Sequence, residues 1–199
     1  MKGGARAFVT VALVIPLAPS AHAGSFWKPF IAGAVSGFAI HEGSHLALDL
    51  AFHAEPRLKS VRFGPIPFFA VTHRSNLSPR RDALITGAGF FSQHLWSEIV
   101  LSRHVPGESV SAFEKGALAF HAATSVAYAG AAFARYGPFE RDTRGIAEAT
   151  SSDERLIGAL VLAPAALDAW RYFRPRSKAA RWGSRLAKVG FLGVIAFKK

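Results

Sequence analysis

The chain contains no cysteine. Disulfide bonds are thereby excluded, and so is every thiolate metal site. Any metal this protein holds must be bound by histidines and carboxylates. Acidic residues are also scarce: 13 Asp and Glu stand against 24 Lys and Arg in 199 residues, a formal net charge of +11. A basic balance of this kind can signal nucleic acid. Here no recognised nucleic-acid motif and no basic module interleaved with aromatics accompanies it, so no nucleic-acid partner is expected. Anionic lipid head groups are the expected partners of the arginines.

What is abundant is apolar. Half of the residues are hydrophobic, and the charged 19% gather between apolar runs. The length suits one domain, and the pattern is that of a small polytopic membrane protein with short basic loops. Lys2 and Arg6 precede an apolar stretch at 7–18, and Ala21-His22-Ala23 then offers the small residues a signal peptidase reads. Residues 1–23 therefore read as a signal peptide cleaved after Ala23, which delivers an integral protein to the bacterial inner membrane.

Four apolar spans follow, at 29–52, 83–101, 116–133 and 156–173. The tail at 174–199 is strongly basic and then briefly apolar, an amphipathic surface helix or a short last span. Between the first two spans, 57–63 alternates polar and apolar residues, Gly64-Pro65-Ile66-Pro67 breaks the run, and 68–72 resumes it. This predicts a β-hairpin, which could offer an edge to an extended peptide or simply lie on the membrane surface. Ser78-Pro79 is a helix start, serine as N-cap and proline at the first helical position. Residues 135–155 read as a polar connection. The expected fold is an all-α polytopic membrane bundle of four to five apolar helices with a small membrane-associated β-hairpin, residues 24–173 forming the embedded domain. Loop charge conflicts with strict alternation of the spans, because both 53–82 and 171–188 are basic. The span at 156–173, broken by Pro164, is the one expected not to cross fully.

The first span carries His41-Glu42-Gly43-Ser44-His45. On a helix, His41 and His45 are one turn apart and share a face, so both imidazoles can grip one metal ion. Glu42 lies roughly 100° around, near a metal-bound water without being a ligand. This is the H-E-x-x-H arrangement in which the glutamate is the general base. Ionisable groups inside an apolar run are costly and mark functional sites. Asp49, eight positions after His41, falls on nearly the same stripe. It could accept a histidine N–H or stand in solvent near the membrane face.

A catalytic zinc takes three protein ligands and leaves one position open. Beyond His41 and His45, the candidates are Asp168, His94, Glu98 and His121, with Gln93 on the face neighbouring His94. Asp168 is the only carboxylate in the apolar part of its span, and Pro164 precedes it.

The chain resembles the site-2 protease family of intramembrane zinc metalloproteases. His41-Glu42-Gly43-Ser44-His45 matches that family's first motif in full. Leu167-Asp168 is similar to its second, a Leu-Asp-Gly, although Ala169 stands where the family has glycine. The small-residue, amide-bearing stretch 87–93 and the hairpin at Gly64-Pro65 have loose counterparts in it. The resemblance implies Zn2+ held by His41, His45 and Asp168, Glu42 as general base, and a membrane or membrane-adjacent protein or peptide as substrate. Two other readings stay open: a histidine-rich di-iron membrane oxidase, and a non-catalytic membrane protein with a structural metal site. No feature of the sequence sets the oligomeric state.

Overall fold

The structure, a computed structural model, describes residues 23–63, 65–74 and 76–197. The expected signal peptide lies, but for its last residue, outside the described residues. The helices are α1 (Ala23–Ala51), α2 (Pro79–Arg103), α3 (Ala112–Ala134), α4 (Asp142–Ala149), α5 (Glu154–Phe173) and α6 (Lys178–Phe197). Strands β1 (Arg57–Phe63) and β2 (Ile66–Thr72) pair antiparallel, in register from Arg57 opposite Thr72 to Phe63 opposite Ile66. The mostly helical fold with one two-stranded sheet agrees with the expectation at that level.

Local chemistry sets the boundaries. Ser78 caps α2 by accepting from the Arg81 amide, and Pro79 occupies the first helical turn, where its missing N–H leaves no partner unsatisfied. Ser111 and Glu114 form a reciprocal capping box at the start of α3. That helix ends at Arg135 in the left-handed conformation, φ 49°. Pro164 lies inside α5 without ending it. The span expected to stop short is thus an unbroken helix, and α3 and α5 are two helices long and apolar enough to cross a membrane.

The long helices form one bundle around which α4 and the hairpin are placed. Ile40 lies beside Ser92 and His45 beside Ile85, so α1 and α2 run antiparallel. α1 and α3 run parallel and very close. A Cβ added to Gly33 would meet the Phe113 carbonyl, and one added to Gly116 would meet the Phe30 carbonyl. These two glycines allow backbone to rest on backbone. Asp168 faces both His121 of α3 and Ser184 of α6, which seats α5 between those helices.

One correction concerns the connection. The stretch 135–155 contains α4, whose Thr143, Ile146 and Ala147 are buried against the bundle. The tail from 178 is one helix with Ala180, Ser184, Lys188, Phe191 and Ile195 turned inward. Phe90, Ile146, Ile157, Val161 and Phe191 belong to the main apolar cluster, shared by α2, α4, α5 and α6.

The interior also holds polar groups, among them His41, His45, Asp49, His94, His121, Asp168 and Lys188. The outside carries large apolar side chains, including Ile31, Val35, Leu46, Leu95, Val126, Trp182, Leu186 and Val189. An apolar core, buried ionisable groups and an apolar-studded surface thus occur together.

Candidate metal centre

α1 presents His41 and His45 inward, one turn apart. α4 brings Asp142 to them from its first position. His41 Nε2 is 3.1 Å from Asp142 Oδ2, His45 Nε2 is 3.4 Å from the same oxygen, and the two Nε2 atoms are 3.3 Å apart. Three lone-pair atoms converging at such distances repel unless a positive charge, a proton or a cation, lies among them. This group could hold a metal ion. The spacing fits one: tetrahedral ligands at roughly 2.0–2.1 Å from a zinc ion stand about 3.3–3.4 Å from each other.

The surroundings prepare the group. His45 Nδ1–H donates to the Ile85 carbonyl at 2.7 Å, which turns the Nε2 lone pair toward the centre. Gly89 of α2 packs on both rings. A Cβ there would collide with His41 Nε2 and His45 Nε2, so the absence of a side chain leaves the space between the nitrogens clear. Asp142 is fixed from outside the triangle. Its neighbour Arg141 forms a two-pronged ion pair with Glu154, Nε to Oε1 and Nη2 to Oε2 both at 2.6 Å, and Thr143 donates to Glu154 Oε1 at 3.0 Å. The start of α4 is thereby riveted to the start of α5. Burial pushes the Asp142 carboxyl up. The charge of His45 and hydrogen bonds from His41 and His45 outweigh it and hold the group well below the ordinary carboxylate range.

A cavity of about 240 Å³ opens beside this triangle. Glu42, His45, Tyr128 and Asp142 line its inner side, while Val61, Phe69, Ala70 and Val71 of the hairpin line the opposite wall. Lys59 of β1 reaches Glu140 at 2.6 Å, tying the hairpin to the segment that leads into α4. A second tie holds the same open end of the hairpin. His73 Nε2 is 2.9 Å from Asp82 Oδ1, and its Nδ1 is 3.4 Å from buried Asp49.

The carboxylate that meets the two imidazoles is Asp142, and the expected third ligand, Asp168, is elsewhere. Asp168 accepts from Ser97 Oγ at 2.6 Å and Ser184 Oγ at 2.5 Å, lies 2.9 Å from Lys188 Nζ and 3.4 Å from His121 Nε2. The physical reason is direction. α5 enters the bundle beside Arg141 and carries Asp168 fourteen residues away, about 20 Å along the axis. The other candidates also lie apart from the triangle. His94 packs its ring against His121 and Phe191. Gln93 is buried one turn beyond Gly89. Glu98 belongs to an arginine cluster at the far end of α2, and Asp49 to the His73 clasp. Asp142 had one signal in the sequence: an aspartate at the start of a short segment with Ile146 and Ala147 on one face.

No protein-family model, curated protein or solved structure matches this chain.

Proposed function

We propose that this chain is a membrane-embedded zinc metalloprotease that hydrolyses a peptide bond of a membrane or membrane-adjacent protein. The observation that carries the reading is the triangle of His41, His45 and Asp142 opening onto a cavity that Glu42 also lines. Without cysteine, a tetrahedral site of two imidazoles and one carboxylate suits zinc. When bound, such an ion polarises a water molecule and lowers its pKa from about 16 to roughly 7.

The remaining work falls to the chain. Glu42, adjacent in sequence to one ligand and on the cavity side of α1, takes the proton of the attacking water and returns it to the leaving amine. Tyr128 offers a phenolic donor on the same wall. The apolar hairpin face, with Val61, Ala70 and Val71, shields the reacting groups from bulk water and strengthens every charge interaction within. The large apolar side chains on the outside support a lipid setting, together with α3 and α5 as helices long and apolar enough to span it. In that setting the exposed arginines meet anionic head groups. A bacterial inner membrane remains the proposed location. The di-iron alternative needs more ligands than this group provides.

The test is elemental analysis and peptide cleavage on purified protein. Wild type is expected to carry one zinc per chain, and Glu42→Gln to keep the metal while turnover falls by about 10²–10⁴-fold. Undiminished cleavage by that variant removes the base assignment. Metal-free protein from zinc-replete cells removes the enzyme reading.

A further inference from the structure

Three arginines converge at the end of the bundle remote from the metal centre. Arg171 lies at the end of α5, and Arg181 and Arg185 come from the first half of α6. With Ser102 and His104 at the end of α2, they line a cavity of about 120 Å³. That is the space of about four water molecules at ~30 Å³ each, or of one tetrahedral oxyanion.

The donors there are only partly used. Arg171, 3% exposed, gives Nη1 to Glu98 Oε2 at 2.6 Å and Nη2 to Ser102 Oγ at 3.0 Å. Arg185 gives Nε to Glu98 Oε1 at 2.8 Å and Nη2 to the same hydroxyl at 3.3 Å. Arg181 makes one long contact, 3.4 Å, to the Pro175 carbonyl. A guanidinium carries five N–H donors, so each of the three keeps at least three in hand. Charge is unbalanced too. Lys188 bridges Glu98 and Asp168 at 3.2 and 2.9 Å. Four cations therefore face two carboxylates, an excess of two positive charges in a partly buried pocket.

We propose that this pocket is a phosphate site, taking the phosphoryl oxygens of a mono- or diester on Arg171, Arg181 and Arg185. Planar, weakly hydrated guanidiniums bind such oxygens in pairs, and a cation excess at the solvent-facing side of the pocket, on Arg181 and Arg185, favours an anion. The chemistry is shared by a phospholipid head group and a soluble phosphate compound. Exposed Trp170, Phe173 and Trp182 lie within two residues of Arg171 or Arg181 in the chain, with Arg174 and Arg176 in the connecting segment and Lys178 at the start of α6, a combination of aromatics and cations like that found at a lipid–water interface. These neighbours favour the lipid. The proposal stands apart from the metal reading and survives its failure.

The experiment uses the full chain in a phosphate-free, non-ionic detergent. One arm titrates inorganic phosphate against chloride at matched ionic strength, and the other titrates phosphatidic acid in mixed micelles. Melting temperature and direct binding are read in both. Saturable binding is expected. The Arg181→Gln/Arg185→Gln double variant should weaken it about tenfold or more, since two sets of charge-assisted donors are lost. The double variant Arg57→Gln/Arg62→Gln, equal in charge change and located on the hairpin, should bind inorganic phosphate as wild type does and lose less phosphatidic acid affinity than the α6 variant. Tighter binding of phosphatidic acid assigns the site to lipid, and equal affinity for inorganic phosphate assigns it to soluble compounds. The proposal is overturned if neither titrant saturates, if the α6 variant binds unchanged, or if the hairpin variant loses as much as the α6 variant.

Discussion

Asp142 and Asp168 are both carboxylates held beside histidines, and their remaining neighbours separate their roles. Asp142 has two imidazole nitrogens and a cavity in front of it, whereas Asp168, which borders a separate cavity, is already bound by two hydroxyls and an ammonium. Asp142→Asn is expected to weaken zinc binding by more than the 10–100-fold typical of an outer-shell partner. Asp168→Asn should leave zinc content intact and lower stability by about 3–5 kcal/mol, because Lys188 loses a buried counter-charge. Metal titration and thermal melting of the two variants decide between them, and the reverse pattern would restore Asp168 as the ligand. His41 and His45 were legible in the sequence because helical spacing alone places them together. Asp142 was not, because its approach depends on Arg141 finding Glu154, a contact that no local pattern announces.

At the scale of elements, the hairpin is fastened at two points, and one of them titrates. The hydrogen bond to Asp82 raises the pKa of His73 above the usual histidine value, burial opposes this, and the charges of Asp82 and Asp49 add to the rise while His45 opposes it. A raised value in the folded state means that the contribution is fully present below the ordinary pKa of about 6.5 and fades as pH climbs through the folded value. Melting temperature, or protease resistance of the hairpin, should therefore fall as the pH is raised above about 6.5. His73→Gln should flatten that change, and a variant that retains the full pH dependence would assign it to another group. The strands themselves were legible from alternation around a Gly-Pro break, and α2 from Ser78-Pro79. α4 was hidden because eight residues with three charges have the composition of a loop, and only docking between α2 and α5 makes them helical.

Across the whole molecule, the natural lack of cysteine is an experimental opening, since single cysteines can be introduced without background. α5 is 20 residues long, about 30 Å. Its start lies with the metal centre and its end with the arginine pocket. If α5 crosses the bilayer, Glu55→Cys near the hairpin and Arg176→Cys in the α5–α6 turn should react with an impermeant maleimide from opposite sides of sealed vesicles. Labelling of both from one side would return the chain to a surface-bound arrangement. The chamber beside His45 and Asp142 has the two-stranded sheet as its far wall, with Val61 on β1 and Phe69, Ala70 and Val71 on β2. That wall is tied down through Lys59 and His73, so loosening either tie should widen the way in.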